Sequence, residues 1–260
     1  MHILALPAFR DNYIWMIHDT RSAVVVDPGD ADVVLAACAE GGVQPQGLQL
    51  AGILVTHHHP DHTGGLAALL RHAPVPVWGP AAEDIAEVSQ GVADGDEVVL
   101  QAPALRLRVI EVPGHTLGHV AYHAERERLL LCGDTLFSAG CGRLFEGTPA
   151  QMVHSLQRLA ALPADTQVLC AHEYTLSNLQ FARHVEPGNP AIESYQAWCE
   201  QRRGQRLPTL PSTIGREWQV NPFLRGDQAA IREKLEQQWG RAPADGVEAF
   251  AMLRQWKDDF

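Results

Sequence analysis

Four histidines and an aspartate crowd into the stretch THHHPDHTGG, residues 56–65. It begins where the apolar run LQLAGILVT ends, so the end of a strand sets the direction of the side chains that follow. In extended backbone, residues two apart share a side, which lets His57 and His59 present imidazoles to one cation while His58 faces away. Pro60 stiffens the turn. Asp61 and His62, at the start of a helix, offer a differently oriented carboxylate and imidazole that could hold a second ion nearby. An isolated histidine is ordinarily a surface or core residue. Four nitrogen donors and a carboxylate at this density would repel one another on protonation and serve no packing purpose, so metal binding is the chemistry that fits.

Such donors need a scaffold, and the flanking sequence supplies one. HILALPA (2–8), NYIWMIHD (12–19) and SAVVV (22–26) read as a meander of three strands. Asp30 is placed to cap a helix running to about Ala39, ahead of the strand LQLAGILVT. GGLAALLRHA has helical spacing, whereas PVPVWGP, ALRLRVIEVPG, HVAYHAE and RLLLCGDTLF read as further strands. Thr148 and Pro149 mark a helix start, with Met152, Val153, Leu156, Leu159 and Ala160 on one face, and QVLCAH is one more buried strand. After about residue 173 the strand signal fades, and TLSNLQFARHV, AIESYQAWCEQ, DQAAIREKLEQQW and GVEAFAMLRQWKDD read as helices. The expected class is mixed α/β, with a catalytic domain over 1–173 and a helical appendage over 174–260.

Composition narrows the function. The 260 residues are 46% hydrophobic and 20% charged, near the average for a globular protein and enough for a substantial core. No apolar run approaches the ~18 residues of a membrane span, and Arg10 and Asp11 interrupt the N-terminus before a signal-peptide core forms. Five cysteines (38, 132, 141, 170 and 199) without a CxxC pair suggest reduced thiols. A cytoplasmic monomer is expected. Residues 1–172 carry 19 acidic against 9 basic side chains and residues 173–260 carry 12 against 11, out of a net charge of −11. That acidity argues against a nucleic-acid partner.

THxHxDH after an apolar strand resembles the signature of the metallo-β-lactamase superfamily. PGHTLGH (113–119), GDTLF (133–137) and AHEYT (171–175) follow in the order of one branch, glyoxalase II, the hydroxyacylglutathione hydrolases. NPF (221–223) and RQWKDDF (254–260) extend the similarity along nearly the whole chain. The resemblance implies a four-layer αββα sandwich with a C-terminal helical domain, and a site for two divalent metal ions, zinc first, iron or manganese as alternatives. It implies that His57, His59 and His115 hold one ion and that Asp61, His62 and His172 hold the other, with Asp134 bridging. His115 is preferred over His119 because the family motif uses its first histidine. Asp27 and Thr56 are expected to support the ligands from behind.

Two ions roughly 3.5–4 Å apart can share a water and lower its pKa toward about 7. Hydroxide would then be the nucleophile, with Asp61 and Asp134 catalytic through their hold on it. The same ions would stabilise the oxyanion that forms, and a thiolate can leave without prior protonation. No GxSxG elbow offers a protein nucleophile. Arg254 and Lys257, three apart on the last helix, could clamp substrate carboxylates. The family uses an RxxK pair there for glutathione, and Tyr174 and Arg143 match further contact positions. Arg143 replaces a lysine of some members, and Phe145 replaces a tyrosine. The implied reaction is hydrolysis of S-(2-hydroxyacyl)glutathione, typically S-D-lactoylglutathione, to glutathione and D-lactate, the second step of methylglyoxal detoxification. The alternatives are a glutathione persulfide dioxygenase of the same superfamily and a metal-binding protein without turnover.

Overall fold

Antiparallel pairing of β1 (His2–Ala8), β2 (Asn12–His18) and β3 (Ser22–Val26) forms the expected meander. The computed structural model describes residues 1–260 as two compact units, one of residues 1–111 with 117–133, the other of 112–116 with 134–260.

In the first unit the chain leaves β3 through α1 (Ala31–Cys38), where the Asp30 carboxylate accepts from the N–H groups of Asp32 and Val33. Such a cap contributes about 1 kcal/mol. The chain returns in β4 (Gln49–Leu54), parallel to β3, and passes through α2 (Pro60–Thr63) and α3 (Leu66–His72) to β5 (Val77–Pro80) and β6 (Gln90–Val92), also parallel. The six strands lie in sequence order. Val34 of α1 and Leu66 and Leu69 of α3 pack on one face with Ile14, Met16, Val25 and Ile53. The alternate side chains Trp15, Ile17, Val24, Val26 and Leu54 are buried as well, so this sheet is covered on both sides, as the continuous apolar runs require.

β7 (Glu97–Gln101), β8 (Ala104–Glu111), β9 (Val120–Ala124) and β10 (Leu129–Gly133) form antiparallel neighbours. The Tyr122 hydroxyl of β9 donates to the backbone carbonyl of Val55 at 2.8 Å, tying these strands to the end of β4. β6 and β7 were not among the expected strands. β7 is an edge strand whose side chains alternate exposed and buried, and its short EVVLQ run gains its order from pairing with β8.

The second unit holds the small hairpin β11 (Leu136–Phe137) and β12 (Gly140–Cys141), then α4 (Pro149–Ala160), β13 (Gln167–Cys170), α5 (Thr175–Val185) and α6 (Pro190–Gly204). It continues through β14 (Ser212–Thr213), α7 (Ile214–Val220), α8 (Ala229–Trp239) and α9 (Gly246–Asp259). Thr148 and Gln151 complete a reciprocal capping box at α4, as the sequence predicts. The tail is helical except for β14, which pairs with β13 through Gln167↔Thr213 and Val168↔Ser212. Two residues carry no periodicity of their own, so this strand depends on a partner distant in sequence. No helix is long and apolar enough to cross a membrane.

Candidate active site

Parallel pairing of β3 and β4, with Val26 opposite Leu54, brings the residues that follow each strand to one edge of the sheet. Carboxyl-terminal edges of parallel strands are the usual place for ligand sites in such sheets. At this edge Asp27 accepts from the Thr56 backbone N–H at 2.7 Å and from the Thr56 hydroxyl at 2.8 Å. Its Oδ2 also lies 3.1 Å from His62 Nδ1. Asp27 is held at φ 52°, a left-handed conformation that a non-glycine residue adopts at a cost of order 1–3 kcal/mol. The Asp27 carboxylate thus sits on the Nδ1 side of the His62 ring.

The imidazoles gather as the strand geometry predicts. His57 Nε2 and His59 Nδ1 approach to 3.0 Å, and the His57 and His62 rings are 4.1 Å apart between centroids. Asp61 Oδ2 lies 3.4 Å from His62 Nε2 and accepts from the Asn12 side chain at 2.9 Å. His58 turns away to Glu83, 2.9 Å from Nδ1. His119, fully buried, stacks on His57 at 4.6 Å. His57 and His62 are buried, and both belong to groups of side chains that could hold a metal ion.

The second unit contains the other three expected ligands. His115 Nε2 and His172 Nε2 lie 3.5 Å and 3.3 Å from Asp134 Oδ2. His115 Nδ1 lies 2.9 Å from the Arg143 carbonyl, which fixes the tautomer and turns Nε2 toward the carboxylate. The 112–116 segment is anchored within this unit, since Ser155 donates to the Pro113 carbonyl and the Phe145 N–H donates to that of His115. The Gly142 backbone runs so close that a Cβ there would meet the Asp134 carbonyl oxygen at 2.0 Å and His115 Nδ1 at 3.1 Å. Imidazole nitrogens gathered around a shared carboxylate are a donor set that zinc, iron and manganese accept. The residues present therefore fit divalent metal ions.

His115 and Asp134 also line a cavity of about 450 Å³ whose wall includes Arg143, Arg254, Lys257, Tyr174 and Phe145. All four substrate-binding candidates from the sequence thus share one pocket. Tyr174 stacks flat on His172, with centroids 4.8 Å apart and planes 6° from parallel. Arg254 is buried: Nη1 donates to the Cys141 carbonyl at 3.0 Å and Nη2 to Asp258 at 2.9 Å, while its Nε has no partner. The Lys257 ammonium lies 5.7 Å from the Phe181 ring, and its pKa is lowered by burial and then by the neighbouring Arg254 and Arg143. Burial pushes the Cys141 thiol up to about 11.

Several residues that build this pocket carry no signal in local sequence. Glu217 of α7 is fully buried and accepts from the Ala139 N–H at 2.7 Å, Asn221 Nδ2 at 3.0 Å, Ser138 and Ser212. Burial raises its carboxyl above the usual range, while these donors act in the opposite sense. Asn221, in the NPF motif, also donates to the carbonyls of Phe137 and Gly140. Together they fix the β11–β12 turn from which Phe137 and Cys141 reach the cavity wall. Asn178 of α5, another wall residue, donates to the Ser138 carbonyl at 3.0 Å.

The strand order, the donors at the sheet edge and the helical tail define a metallo-β-lactamase fold, and residues 8–172 match the model of the metallo-beta-lactamase superfamily. The chain is structurally similar to a B3 metallo-beta-lactamase, BLEG-1, with TM-score 0.63 and 20% identity over 86% of this chain and 98% of that one. Residues 173–260 match the model of the hydroxyacylglutathione hydrolase C-terminus. A hydroxyacylglutathione hydrolase of Albidiferax ferrireducens is 56% identical over 100% of both chains, and one of Cupriavidus taiwanensis is 54% identical over 98% of this chain and 97% of its own. The chain belongs to the hydroxyacylglutathione hydrolase family of the metallo-β-lactamase superfamily.

Proposed function

We propose that this protein hydrolyses S-(2-hydroxyacyl)glutathione thioesters, S-D-lactoylglutathione foremost, to glutathione and the 2-hydroxy acid. The observation that carries the reading is a single cavity lined both by metal-type donors, His115 and Asp134, and by three cationic side chains, Arg143, Arg254 and Lys257. Glutathione has two carboxylates and a peptide backbone, which suit guanidinium and ammonium donors.

Following the order of the motifs, His57, His59 and His115 would hold one ion, Asp61, His62 and His172 the second, and Asp134 both. Bound divalent ions supply Lewis acidity toward the thioester carbonyl and an acidified water. Zinc is the favoured metal for this mixture of imidazole and carboxylate. The chain's own residues do the remainder. The Arg143 carbonyl would set the tautomer of His115, and Asp27 lies against the Nδ1 side of His62. Thr56 holds the Asp27 carboxylate in position. Arg254, with a buried Nε lacking a partner, would engage a substrate carboxylate or carbonyl. Tyr174 would contact the glutathione peptide from its seat on His172, and Arg143 and Lys257 would complete the clamp.

Residues 1–173 would thus carry the chemistry and 174–260, joined by Arg143, the recognition, a division supported by the junction of the two family models at 172/173. We further propose a monomer acting in the cytoplasm. The test is to incubate metal-loaded protein with S-D-lactoylglutathione and follow loss of thioester absorbance. Turnover with release of one thiol per ester supports the reading, and no turnover with both ions confirmed in place overturns it.

A further inference from the structure

Three cations on one cavity wall repel each other, and something must hold them in place when no substrate anion is present. Arg254, Lys257 and Asp258 follow one another around a single turn of α9. Asp258 Oδ1 accepts from Arg254 Nη2 at 2.9 Å and also lies 3.4 Å from Arg143 Nε, which belongs to the segment after β12. One carboxylate oxygen therefore joins two guanidinium groups from distant parts of the chain. Asp258 does not itself line the cavity, whereas Arg143, Arg254 and Lys257 do.

We propose that Asp258 is a positioning residue for substrate recognition, holding Arg254 and Arg143 in the orientation that receives the glutathione carboxylates. This inference rests on the thioester reading above. Two effects of the carboxylate oppose each other. Its negative charge weakens the attraction of the wall for an anionic substrate, but the side chain is 40% exposed, and water screens that field. Arg254 has a side chain only 8% exposed and no other carboxylate partner within ion-pair distance. Removing Asp258 takes away the carboxylate that fixes Arg254 Nη2 and leaves the guanidinium held by the Cys141 carbonyl at Nη1. Positioning therefore outweighs screening, and loss of Asp258 weakens binding. Asp258 bears on Lys257 as well: burial first, and then Arg254 and Arg143, lower the Lys257 pKa, and Asp258 acts to raise it.

The experiment compares Asp258→Asn, Asp258→Glu and the adjacent exposed Asp259→Asn in the metal-loaded full chain, with S-D-lactoylglutathione kinetics, glutathione binding by calorimetry and thermal melting. For Asp258→Asn, KM for the thioester and Kd for glutathione are expected to rise roughly tenfold, with kcat changed by less than about twofold. Asp258→Glu should recover most of the loss, and Asp259→Asn, which makes the same change in net charge, should match the wild type. A KM for Asp258→Asn equal to or below the wild-type value, in an active enzyme, overturns the inference alone. Parallel collapse of kcat and melting temperature in both Asp258 variants would assign the residue to the fold and overturn it too. A wild-type protein that neither turns over the thioester nor binds glutathione overturns the underlying reading and this inference with it.

Discussion

Compare the donors of the first unit with those of the second. His57, His59, Asp61 and His62 come from one strand end and one helical turn, with spacing set by local backbone geometry. His115, Asp134 and His172 come from three separate segments, and the cavity that His115 and Asp134 border takes its cations from the β12–α4 segment and from α9. The first set depends on a single sheet edge, whereas the second depends on many contacts between segments distant in sequence. The contrast shows that four of the expected metal donors are locally encoded, whereas the other three and the cationic wall depend on distant segments. Damage to a metal-type donor of either set should be abrupt, and damage to the cations of the cavity wall graded.

Substitutions can break or sharpen this contrast. The largest effect is expected from Asp134→Ala, which removes the carboxylate adjoining both His115 and His172. Its kcat should fall by about a thousandfold or more, checked by kinetics together with metal content per chain. His57→Ala should behave in the same way and also lower metal content; retention of the full metal complement would break the proposed ligand set. Glu217→Ala is expected to be severe through stability, because Ala139, Asn221, Ser138 and Ser212 would lose a buried acceptor. A loss of about 3–5 kcal/mol is expected, measured by urea unfolding. Arg254→Ala should raise KM by about 10–100-fold with a smaller change in kcat, and equal collapse of both constants would contradict the division between chemistry and recognition. Smallest is Phe145→Tyr: Phe145 lines the cavity and is 64% exposed, and a restored hydroxyl should lower KM by about threefold.

The same contrast explains what could be read from the amino-acid order. THHHPDH announces itself because its donors are neighbours, and its placement at the end of β4 follows from the apolar run before it. The position of His58, turned to Glu83, follows from the two-residue period alone. The Arg254 and Lys257 pair was visible as a helical spacing, and both side chains meet in the cavity. By contrast, Asp258 and Glu217 look like ordinary surface acids in a helical pattern. Their roles come from partners such as Arg143 and Ala139 in distant parts of the sequence. β14 and β7 escaped for a related reason, since two residues, or an edge strand with one exposed valine, show little periodicity of their own. Asn178 likewise reads as a neutral helical residue until the Ser138 carbonyl is placed above it.

Cys141, the one cysteine in the cavity wall, has a bearing on how such a protein would withstand its own product. Each turnover would release a free thiol beside it, and a neighbouring thiolate would invite mixed-disulfide formation under oxidising conditions. Burial pushes the Cys141 pKa up to about 11, which holds this side chain as the thiol at neutral pH. A wall cysteine held as the thiol is a poor partner for exchange with the sulfur that departs beside it.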